Sequence, residues 1–516
     1  MSHRIIIGLE VHVQLLTKTK LFCGCSTQFG LPPNSATCPV CCGMPGTLPV
    51  MNRQAFRLSI EAAVALNCTI APFTKWDRKN YFYPDLPKNY QISQYDLPFS
   101  SNGSLEIETS AGSRTIGIIR AHLEEDAGKM LHDENAGRND SLVDLNRTGT
   151  PLLEIVSQPE METAEEAKAY LEAIRLLLRE IGVSDCEMQE GSLRCDANVN
   201  LHVAQPDGSF VATPIIEVKN LNTIRGVERA LNYEVDRQAA ELERNLESGY
   251  WQIDTSRPGK FRDYNIVPIA ERRADGTLRP VSKATAGWDE RIGRTEVQRR
   301  KEEASDYRYF PEPDLVPVTV DETLLAQIRQ ELGELPAAQN ARLQSQYGLT
   351  AYDAGVLSRQ GRAFVAYFEI VANRCGDAKE ACNWIINDLL STLNERKLDI
   401  KLCPLPAESL GDLIREIKAI GLNKQRAREV YADMIDTGES VKQVIDRKGF
   451  KPVTDDNQLL ELVRKAIAAN SKAVADFKKG KTKAADAIKG FVMRETKGMA
   501  NTETVQRLLL EELAKV

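Results

Sequence analysis

The sequence predicts an α+β protein with a domain built on a mixed or antiparallel sheet, an all-helical middle domain and a helical tail. Two observations predict this class. Stretches in which apolar and polar residues alternate, as they do in strands, occur up to about residue 295, for example at 5–13, 115–123, 198–203 and 215–219. Beyond a proline-rich connector, the apolar residues recur at helical spacing instead.

Two helices are predicted among these strands. The first begins with Thr163 and Glu166, which fit a capping box, and ends at Gly182. Its apolar face consists of Tyr170, Leu171, Ile174, Leu177, Leu178 and Ile181. The second runs from about residue 228 to residue 249, with an apolar stripe of Leu231, Val235, Leu242 and Leu246. Both stripes predict packing against a sheet.

Prolines mark two breaks in the chain. The first is the connector FPEPD at 310–314, followed by Pro317, and the second is CPLP at 403–406. Because proline interrupts helices, both breaks predict domain boundaries. We expect domains at 1–295, 296–403 and 404–516.

Length, composition and charge narrow the class of protein. At about 100–200 residues per domain, 516 residues correspond to two to four domains. Hydrophobic residues make up 42% and charged residues 27%, which excludes fibrous, collagen-like and wholly disordered chains. The net charge of −7 argues against a uniformly polyanion-binding surface but leaves a local basic patch open.

The sequence predicts a cytoplasmic protein without a membrane span. The apolar run at 5–7 is interrupted by Glu10, His12 and Gln14, so it lacks the continuous apolar region of a signal peptide. Eleven cysteines are too few, and too unevenly placed, for a secreted disulfide scaffold of this size.

Four of the cysteines have the spacing of a metal site. Cys23, Cys25, Cys38 and Cys41 form C-x-C and C-x-x-C pairs separated by twelve residues. This spacing allows four thiolates to surround one structural Zn²⁺. The alternative is a set of reduced, partly buried thiols.

Acidic and imidazole side chains indicate a second candidate site. On a strand, Glu10, His12 and Gln14 face one side of the sheet. Another strand-like run ends in His122-Leu123-Glu124-Glu125-Asp126, and Asp196 and Glu217 add further carboxylates. Such ligands suit Mg²⁺ bridged to substrate phosphates, as in phosphoryl transfer. The alternative is a solvated acidic surface.

Two basic segments are candidates for nucleic-acid contacts. The segment RKNYFYPD at 78–85 combines two cations with three aromatic rings, which suits a base and a phosphate, although a covered aromatic strand has the same composition. Between residues 470 and 499, eight basic residues accompany three acidic ones, a net excess of +5. That excess predicts contact with a polyanion, and a soluble helical face is the alternative. GKT at 480–482 lacks the first glycine of a P-loop, since position 475 is Ala475.

Several longer motifs resemble one family over essentially the whole chain. They are IGLEVHVQ at 7–14, CPVCCGMPG at 38–46, RKNYFYPD at 78–85, HLEEDAGK at 122–129, EGSLRCDAN at 190–198 and DYRYFPEPD at 306–314. Together they resemble the B-subunit of the aspartyl/glutamyl-tRNA amidotransferase, the GatB/GatE family. The resemblance implies a cradle-like catalytic domain at 1–295, a helical middle domain and a mobile tail similar to the YqeY family.

The resemblance also implies an activity. The family transfers the γ-phosphoryl group of ATP to the side-chain carboxylate of Glu or Asp mistakenly carried by tRNA(Gln) or tRNA(Asn), and ammonia then displaces the phosphate. A partner amidase subunit would supply the ammonia, because this sequence has neither a Ser-Ser-Lys amidase segment nor a G-x-C-x-G nucleophile turn. A small third subunit would complete the complex.

The family pattern assigns site residues by resemblance. The Mg²⁺ ligands match Glu10, His12, Glu125 and Glu217, with Glu124 as a neighbouring catalytic residue. Residues for the nucleotide match Arg78, Lys79, Tyr81, Tyr83, Asp196 and Asn198. The cysteine quartet matches the zinc site that some family members retain. Two alternatives to this function stay open, a non-catalytic tRNA-binding scaffold and a self-sufficient ATP-dependent amide ligase.

Overall fold

The computed structural model describes residues 3–132, 140–273, 275–300, 307–450, 456–478, 484–496, 500 and 502–515. The chain forms two compact units, Met1–Leu335 and Pro336–Val516. Within the described residues, the first unit holds the strands and four α-helices, and the second holds helices alone. The predicted α+β class, with helices following a sheet, is therefore confirmed.

The first unit is organised around a large mixed sheet and three small ones. Its strands are β1 His3–Gln14, β2 Thr69–Ile70, β3 Phe73–Thr74, β4 Asp77–Asn80, β5 Tyr90–Ser93, β6 Ser100–Thr109, β7 Gly112–Glu125, β8 Lys129–His132, β9 Ser141–Asp144, β10 Pro151–Ser157, β11 Leu193–Ala204, β12 Phe210–Ala212, β13 Ile216–Leu221, β14 Trp251–Ile253, β15 Gly259–Phe261, β16 Tyr264–Arg272, β17 Leu278–Pro280, β18 Ala284–Asp289, β19 Arg294–Arg300, β20 Phe310–Pro311 and β21 Val318–Thr319. Its helices are α1 Arg53–Ala65, α2 Ala164–Glu180, α3 Ile224–Glu247 and α4 Glu322–Leu332.

β1 lies at the centre of the large sheet. It pairs antiparallel with β10 on one side and with β11 on the other, and β10 pairs in turn with β7. β13 joins β11 antiparallel and β18 parallel, which makes the sheet mixed. Because side chains alternate along β1, Leu9, Val11 and Val13 are buried in the core, whereas Glu10 and His12 face the opposite side.

The helices of this unit largely follow the sequence patterns. α2 has the predicted capping box, in which Thr163 and Glu166 each accept a hydrogen bond from the other's backbone N–H. α3 begins at Ile224, four residues before the predicted start, because Thr223 caps it by accepting from Gly226 N. The structure adds a third helix before residue 295, α1, which the sequence patterns did not predict. Asn52 caps it.

The compact units divide the chain differently from the predicted boundaries at 295 and 403. β20 pairs with β4 and β21 pairs with β3, so the connector joins the first unit as edge strands, where proline is tolerated. In the second unit, one core of buried residues extends from Leu343 to Phe450 and includes both sides of the break at 403. A separate core extends from Leu459 to Leu513.

The helices of the second unit pack through these two cores. They are α5 Pro336–Tyr347, α6 Ala351–Arg359, α7 Arg362–Cys375, α8 Ala378–Trp384, α9 Leu390–Arg396, α10 Ala407–Ile420, α11 Lys424–Thr437, α12 Val441–Lys448, α13 Asp456–Ala469, α14 Ser471–Lys478, α15 Ala484–Glu495 and α16 Thr502–Leu513. One π-helical turn, Ile385–Leu389, joins α8 to α9. Across the described parts of the chain, none of the helices combines the length and apolar character that crossing a bilayer requires.

Candidate functional site

A row of ionisable side chains crosses the large sheet on its polar face. The strand register places His12 of β1 opposite Glu154 of β10, and Glu154 opposite His122 of β7. Glu124 lies two residues after His122, so it faces the same side. Three neighbouring strands therefore bring two imidazoles and two carboxylates together, and we call these four residues the acidic row.

The acidic row has the dimensions of a metal site. Oε2 of Glu154 lies 3.3 Å from Nε2 of His122 and 3.6 Å from Nε2 of His12. Oε2 of Glu124 lies 3.7 Å from Nε2 of His122 and accepts a hydrogen bond from Oγ of Ser93 at 3.1 Å. One ligand atom from each of His12, Glu124 and Glu154 lies within 4.8 Å of the other two. An imidazole and two carboxylates can hold a divalent cation at this spacing.

The charges in the acidic row depend on one another. Burial lowers the pKa of His12, but the hydrogen bond and charge of Glu154 outweigh it, so the pKa lies above its ordinary value. The pKa of His122 is raised in the same way by Glu154 and Glu124. Burial raises the pKa of Glu154, yet the two imidazoles hold that pKa well below its usual range. Protons and a metal ion would therefore compete for the same atoms of the row.

Two cationic side chains flank the acidic row. Arg194 lies opposite His12 on β11 and donates to Oδ2 of Asp126 at 2.8 Å. Lys79 of β4 is half-buried, and desolvation lowers its pKa, but the charges of Glu124 and Glu154 raise that pKa above its ordinary value. The acidic row therefore has positive charge on two sides.

Glu125 lies on the other face of β7, because neighbouring residues of a strand point to opposite sides. Its Oε1 accepts from the backbone N–H of Ile92 at 2.9 Å and contacts Nζ of Lys88. The structure therefore does not bring Glu125 together with His12. Its predicted role as a Mg²⁺ ligand stays a prediction.

Glu10 and Glu217 belong to a neighbouring group on the β11 side of β1. Oε1 of Glu10 accepts from Nδ2 of Asn198 at 2.9 Å. Glu217 lies opposite Asn198 on β13, and its Oε1 lies 3.1 Å from Nζ of Lys219, which also contacts Asp196. The four acidic and amide residues predicted here thus adjoin one another, and Lys219 balances part of their charge.

Strand alternation separates Arg78 from Lys79, two of the residues predicted to bind the nucleotide. Arg78 makes a two-point contact with Glu312, at 2.6 Å from Nε and 2.8 Å from Nη2, and its guanidinium stacks on Tyr90 at 4.2 Å. Lys79 faces the acidic row instead. Tyr83 is 55% exposed. Arg78 therefore links β4 to the segment around residue 312.

That segment adds aromatic residues that the sequence patterns did not assign to the site. Tyr309 stacks on Tyr95, with ring centroids 4.0 Å apart and planes inclined by 8°. Tyr307 packs edge-on against Tyr81 at 6.0 Å, and Nζ of Lys79 lies 5.2 Å from the Tyr307 ring. These rings form an aromatic wall beside Lys79. Asp306, which begins the DYRYFPEPD motif, lies outside the described residues.

The four predicted metal-binding cysteines come together in the structure. One sulfur atom from each of Cys23, Cys25, Cys38 and Cys41 lies within 4.8 Å of the others, and Sγ of Cys38 lies 3.9 Å from Sγ of Cys41. The thiol of Cys23 hydrogen-bonds to Cys41, and together with Lys20 it holds the pKa of Cys41 well below its ordinary value. The cluster can hold a metal ion.

Both metal-capable clusters fall within a segment that is similar to a known family. Residues 5–326, more than half of the chain, match the family model described as the GatB/GatE catalytic domain. The chain belongs to the GatB/GatE family. Residues 366–513 match a second model of that family, the GatB domain.

Three relatives illustrate how far the GatB/GatE similarity extends. Each is named as the B-subunit of an aspartyl/glutamyl-tRNA(Asn/Gln) amidotransferase. The protein from Rhodopirellula baltica is 49% identical over 99% of this chain and 97% of its own length. Those from Moorella thermoacetica and Carboxydothermus hydrogenoformans are 46% and 45% identical, cover 99% and 100% of this chain, and match over their full lengths.

The basic tail is described only in part. Lys472 is exposed on α14, and Lys489 and Arg494 lie on α15. The basic residues at 479, 481, 483 and 497 lie outside the described residues, as does GKT at 480–482. The predicted tRNA contact of the tail therefore stays a prediction.

Proposed function

We propose that this chain is the subunit of a tRNA-dependent amidotransferase that activates and amidates Glu on tRNA(Gln), Asp on tRNA(Asn), or both. It would transfer the γ-phosphoryl group of ATP to the side-chain carboxylate of the misacylated amino acid. Membership of the GatB/GatE family and the printed names of the three relatives support this reaction. The convergence of His12, Glu124 and Glu154 is the observation that carries the catalytic assignment.

The reaction needs the charge arrangement of the acidic row. A carboxylate oxygen of the substrate attacks the γ-phosphorus of ATP, the bond to the β-phosphate oxygen breaks, and ADP leaves. Both reactants are anions, so their approach requires neutralisation more than it requires a base. A bound Mg²⁺ would supply that neutralisation at the phosphoryl oxygens. His12, Glu124 and Glu154 are the residues that would hold it.

The flanking cations would position the two anionic reactants. We assign Lys79 to the reacting carboxylate or phosphoryl oxygens, because it is half-buried and the charges of Glu124 and Glu154 act on it. Arg194 is anchored by Asp126 and presents its positive charge beside His12. The nitrogen of ammonia then bonds to the activated carbonyl carbon, the bond from that carbon to the phosphate oxygen breaks, and the proton lost by nitrogen leaves on the phosphate, which yields the amide.

The cysteine quartet would bind structural zinc. Four sulfur atoms at this separation match the donor set of a closed tetrahedral site, which leaves no position for a substrate. Zinc would fix the loop that carries Cys38 and Cys41 against the segment that carries Cys23 and Cys25. The proposed ligands of the zinc are thus distinct from those of the Mg²⁺.

The proposed partners follow from the reaction. An amidase subunit would supply ammonia, a small third subunit would complete the complex, and the tail would contact the tRNA. Such an assembly would work in the cytoplasm, where tRNAs are charged. The chain's own step is activation of the carboxylate. In an assay, added ammonia would then complete the amidation.

The deciding experiment uses the assembled complex with ATP, ammonia and each of the two misacylated tRNAs. We expect Glu124→Gln to reduce both ADP formation and amide formation at least about a hundredfold, because a ligand charge at a phosphoryl-transfer metal contributes several kcal/mol. Binding of tRNA should be unchanged. Glu108→Gln, at an exposed carboxylate on β6, is the matched control. Normal activity of Glu124→Gln would instead favour a non-catalytic tRNA-binding scaffold.

A further inference from the structure

β5 packs against the end of β7 and is joined to it by hydrogen bonds. Nε2 of Gln91 donates to the carbonyl oxygen of Glu125 at 2.7 Å, and the backbone N–H of Ile92 donates to Oε1 of Glu125 at 2.9 Å. Just after β5, Oε1 of Gln94 accepts from the backbone N–H of Leu123 at 3.1 Å. These bonds fix the position of β5 relative to the carboxylates of β7.

Ser93, the last residue of β5, makes a further bond that is directed at the acidic row. Its Oγ donates to Oε2 of Glu124 at 3.1 Å. That same oxygen lies 3.7 Å from Nε2 of His122. Ser93 is 1% exposed and Glu124 is 2% exposed, so water has little access to this bond. A hydroxyl that donates to an ionised carboxylate forms a stronger bond than one between neutral groups.

The neighbouring carboxylate is held in a different direction. Glu125 accepts from the backbone N–H of Ile92 and contacts Lys88 on the other face of β7. β5 thus holds two adjacent carboxylates apart, and Ser93 contacts the one that belongs to the acidic row. A glutamate side chain has several rotatable bonds, so a carboxylate that is not held in advance must be immobilised when it binds a cation, which lowers the affinity.

We propose that Ser93 is a positioning residue, which holds Glu124 in the orientation that binds the divalent cation of the acidic row. The inference rests on the proposed function, since it concerns the metal site assigned there. In this role Ser93 contacts neither the cation nor the substrate. Loss of a hydrogen-bonding partner of a metal ligand typically costs about 10–100-fold in metal affinity or activity. The effect of Ser93 should therefore appear in the affinity for the cation and not in the rate at saturating cation.

A purely structural role for the Ser93 hydroxyl predicts a different outcome. Ser93→Ala removes the hydroxyl, Ser93→Cys replaces it with a thiol that donates only weakly, and Ser93→Thr keeps it. The matched control is Ser100→Ala, because Ser100 is also 1% exposed and its Oγ donates to the carbonyl oxygen of Ala121 on β7 at 2.7 Å. Both alanine variants thus remove a buried hydrogen bond to β7, but Ser100 donates to a backbone carbonyl instead of a carboxylate.

The experiment measures binding of Mn²⁺ to the assembled complex without ATP or tRNA, since Mn²⁺ takes the same carboxylate ligands as Mg²⁺. Electron paramagnetic resonance of the free Mn²⁺ gives the affinity, and Glu154→Gln identifies the binding that belongs to the acidic row. We expect Ser93→Ala and Ser93→Cys to weaken that binding by about tenfold, and Ser93→Thr and Ser100→Ala to stay within about threefold of the wild type.

A second readout is single-turnover ADP formation at varied magnesium concentration. Ser93→Ala should need about tenfold more magnesium for its half-maximal rate and still reach a maximal rate within about threefold of the wild type. That split distinguishes a positioning residue from a ligand, whose loss lowers the maximal rate as well.

Two results would overturn the proposal. One is a Mn²⁺ affinity within about twofold of the wild type in Ser93→Ala, or in Ser93→Cys where the alanine variant does not fold. The other is an equal loss of affinity in Ser100→Ala, which would make Ser93 a general support of the sheet. Wild-type Mn²⁺ binding that Glu154→Gln leaves unchanged would instead refute the acidic row as a metal site, and with it the catalytic assignment in the proposed function.

Discussion

The carboxylate of Glu154 lies 3.3 Å from the imidazole of His122, and both residues are buried on adjacent strands. Each side chain shifts the pKa of the other: the pKa of His122 is raised and that of Glu154 is lowered. The pair forms one edge of the acidic row, whose other imidazole is His12. We therefore expect the charge state of this pair to affect the stability of the metal-free chain and the affinity of the proposed metal site for a cation.

The metal-free chain should lose stability as the pH rises. His12 and His122 have pKa values raised above about 6.5, so the stability they contribute is fully present below that pH and is lost as the pH rises through their folded-state values. Glu154→Gln removes the main source of the increase, and burial then lowers both pKa values. In urea unfolding with EDTA, the free energy of unfolding of the wild type should exceed that of Glu154→Gln near pH 6, and the difference should shrink towards pH 9. A difference that is constant with pH would contradict the coupling of the two imidazoles to Glu154.

The cysteine quartet should bind one zinc per chain. We expect Cys38→Ser to reduce the zinc content to well below one, because a closed site needs all four thiolates. Cys42→Ser is the matched control, since Cys42 is adjacent to Cys41 but outside the quartet. Elemental analysis of the purified proteins measures the result. Equal zinc loss in both variants would show that the quartet is not the site.

Arg78 should contribute to stability rather than to nucleotide binding. Its partner Glu312 has no exposed side-chain surface, so Arg78→Met would leave a buried carboxylate without its cation. Loss of one partner of a buried pair costs about 3–5 kcal/mol in the free energy of unfolding. Urea unfolding tests this, with Arg291→Met, at an exposed arginine, as the control. A destabilisation below about 0.5 kcal/mol would contradict a stabilising contact between Arg78 and Glu312.

The tail should bind the tRNA backbone without reading its bases. Because buried residues from Leu459 to Leu513 share one core, a deletion that begins at residue 451 removes that core whole, whereas one that begins at 470 would cut through it. Deleting 451–516 should weaken tRNA binding and flatten its salt dependence, since phosphate contacts are lost. Filter binding at several salt concentrations measures both. Unchanged affinity would exclude the tail as a tRNA contact.

Strand alternation was sufficient to predict part of the acidic row. The pattern at 5–13 correctly placed His12 and Glu10 on the polar face of β1, and the spacing of the cysteines predicted their convergence. In both cases the informative residues are close in sequence, so local geometry determines where their side chains point.

The remaining members of the row depend on strand pairing, which local patterns do not provide. Glu154 stands in the otherwise apolar run PLLEIV at 151–156, and a carboxylate there signals that a buried partner is required. The identity of that partner follows only from the register of β10 with β1 and β7. In the same way, Glu124 and Glu125 are equal candidates in sequence, and the sheet alone decides which of them faces His12.

The most direct test of the central claim is the magnesium dependence of a single turnover by the complex that carries Glu154→Gln. The measured quantity is ADP formed on misacylated tRNA as the magnesium concentration is varied, with Glu108→Gln as control. We predict that the variant needs at least about tenfold more magnesium for its half-maximal rate and that its maximal rate falls at least about a hundredfold. A wild-type rate at the wild-type magnesium requirement would contradict the assignment of the acidic row as the phosphoryl-transfer metal site.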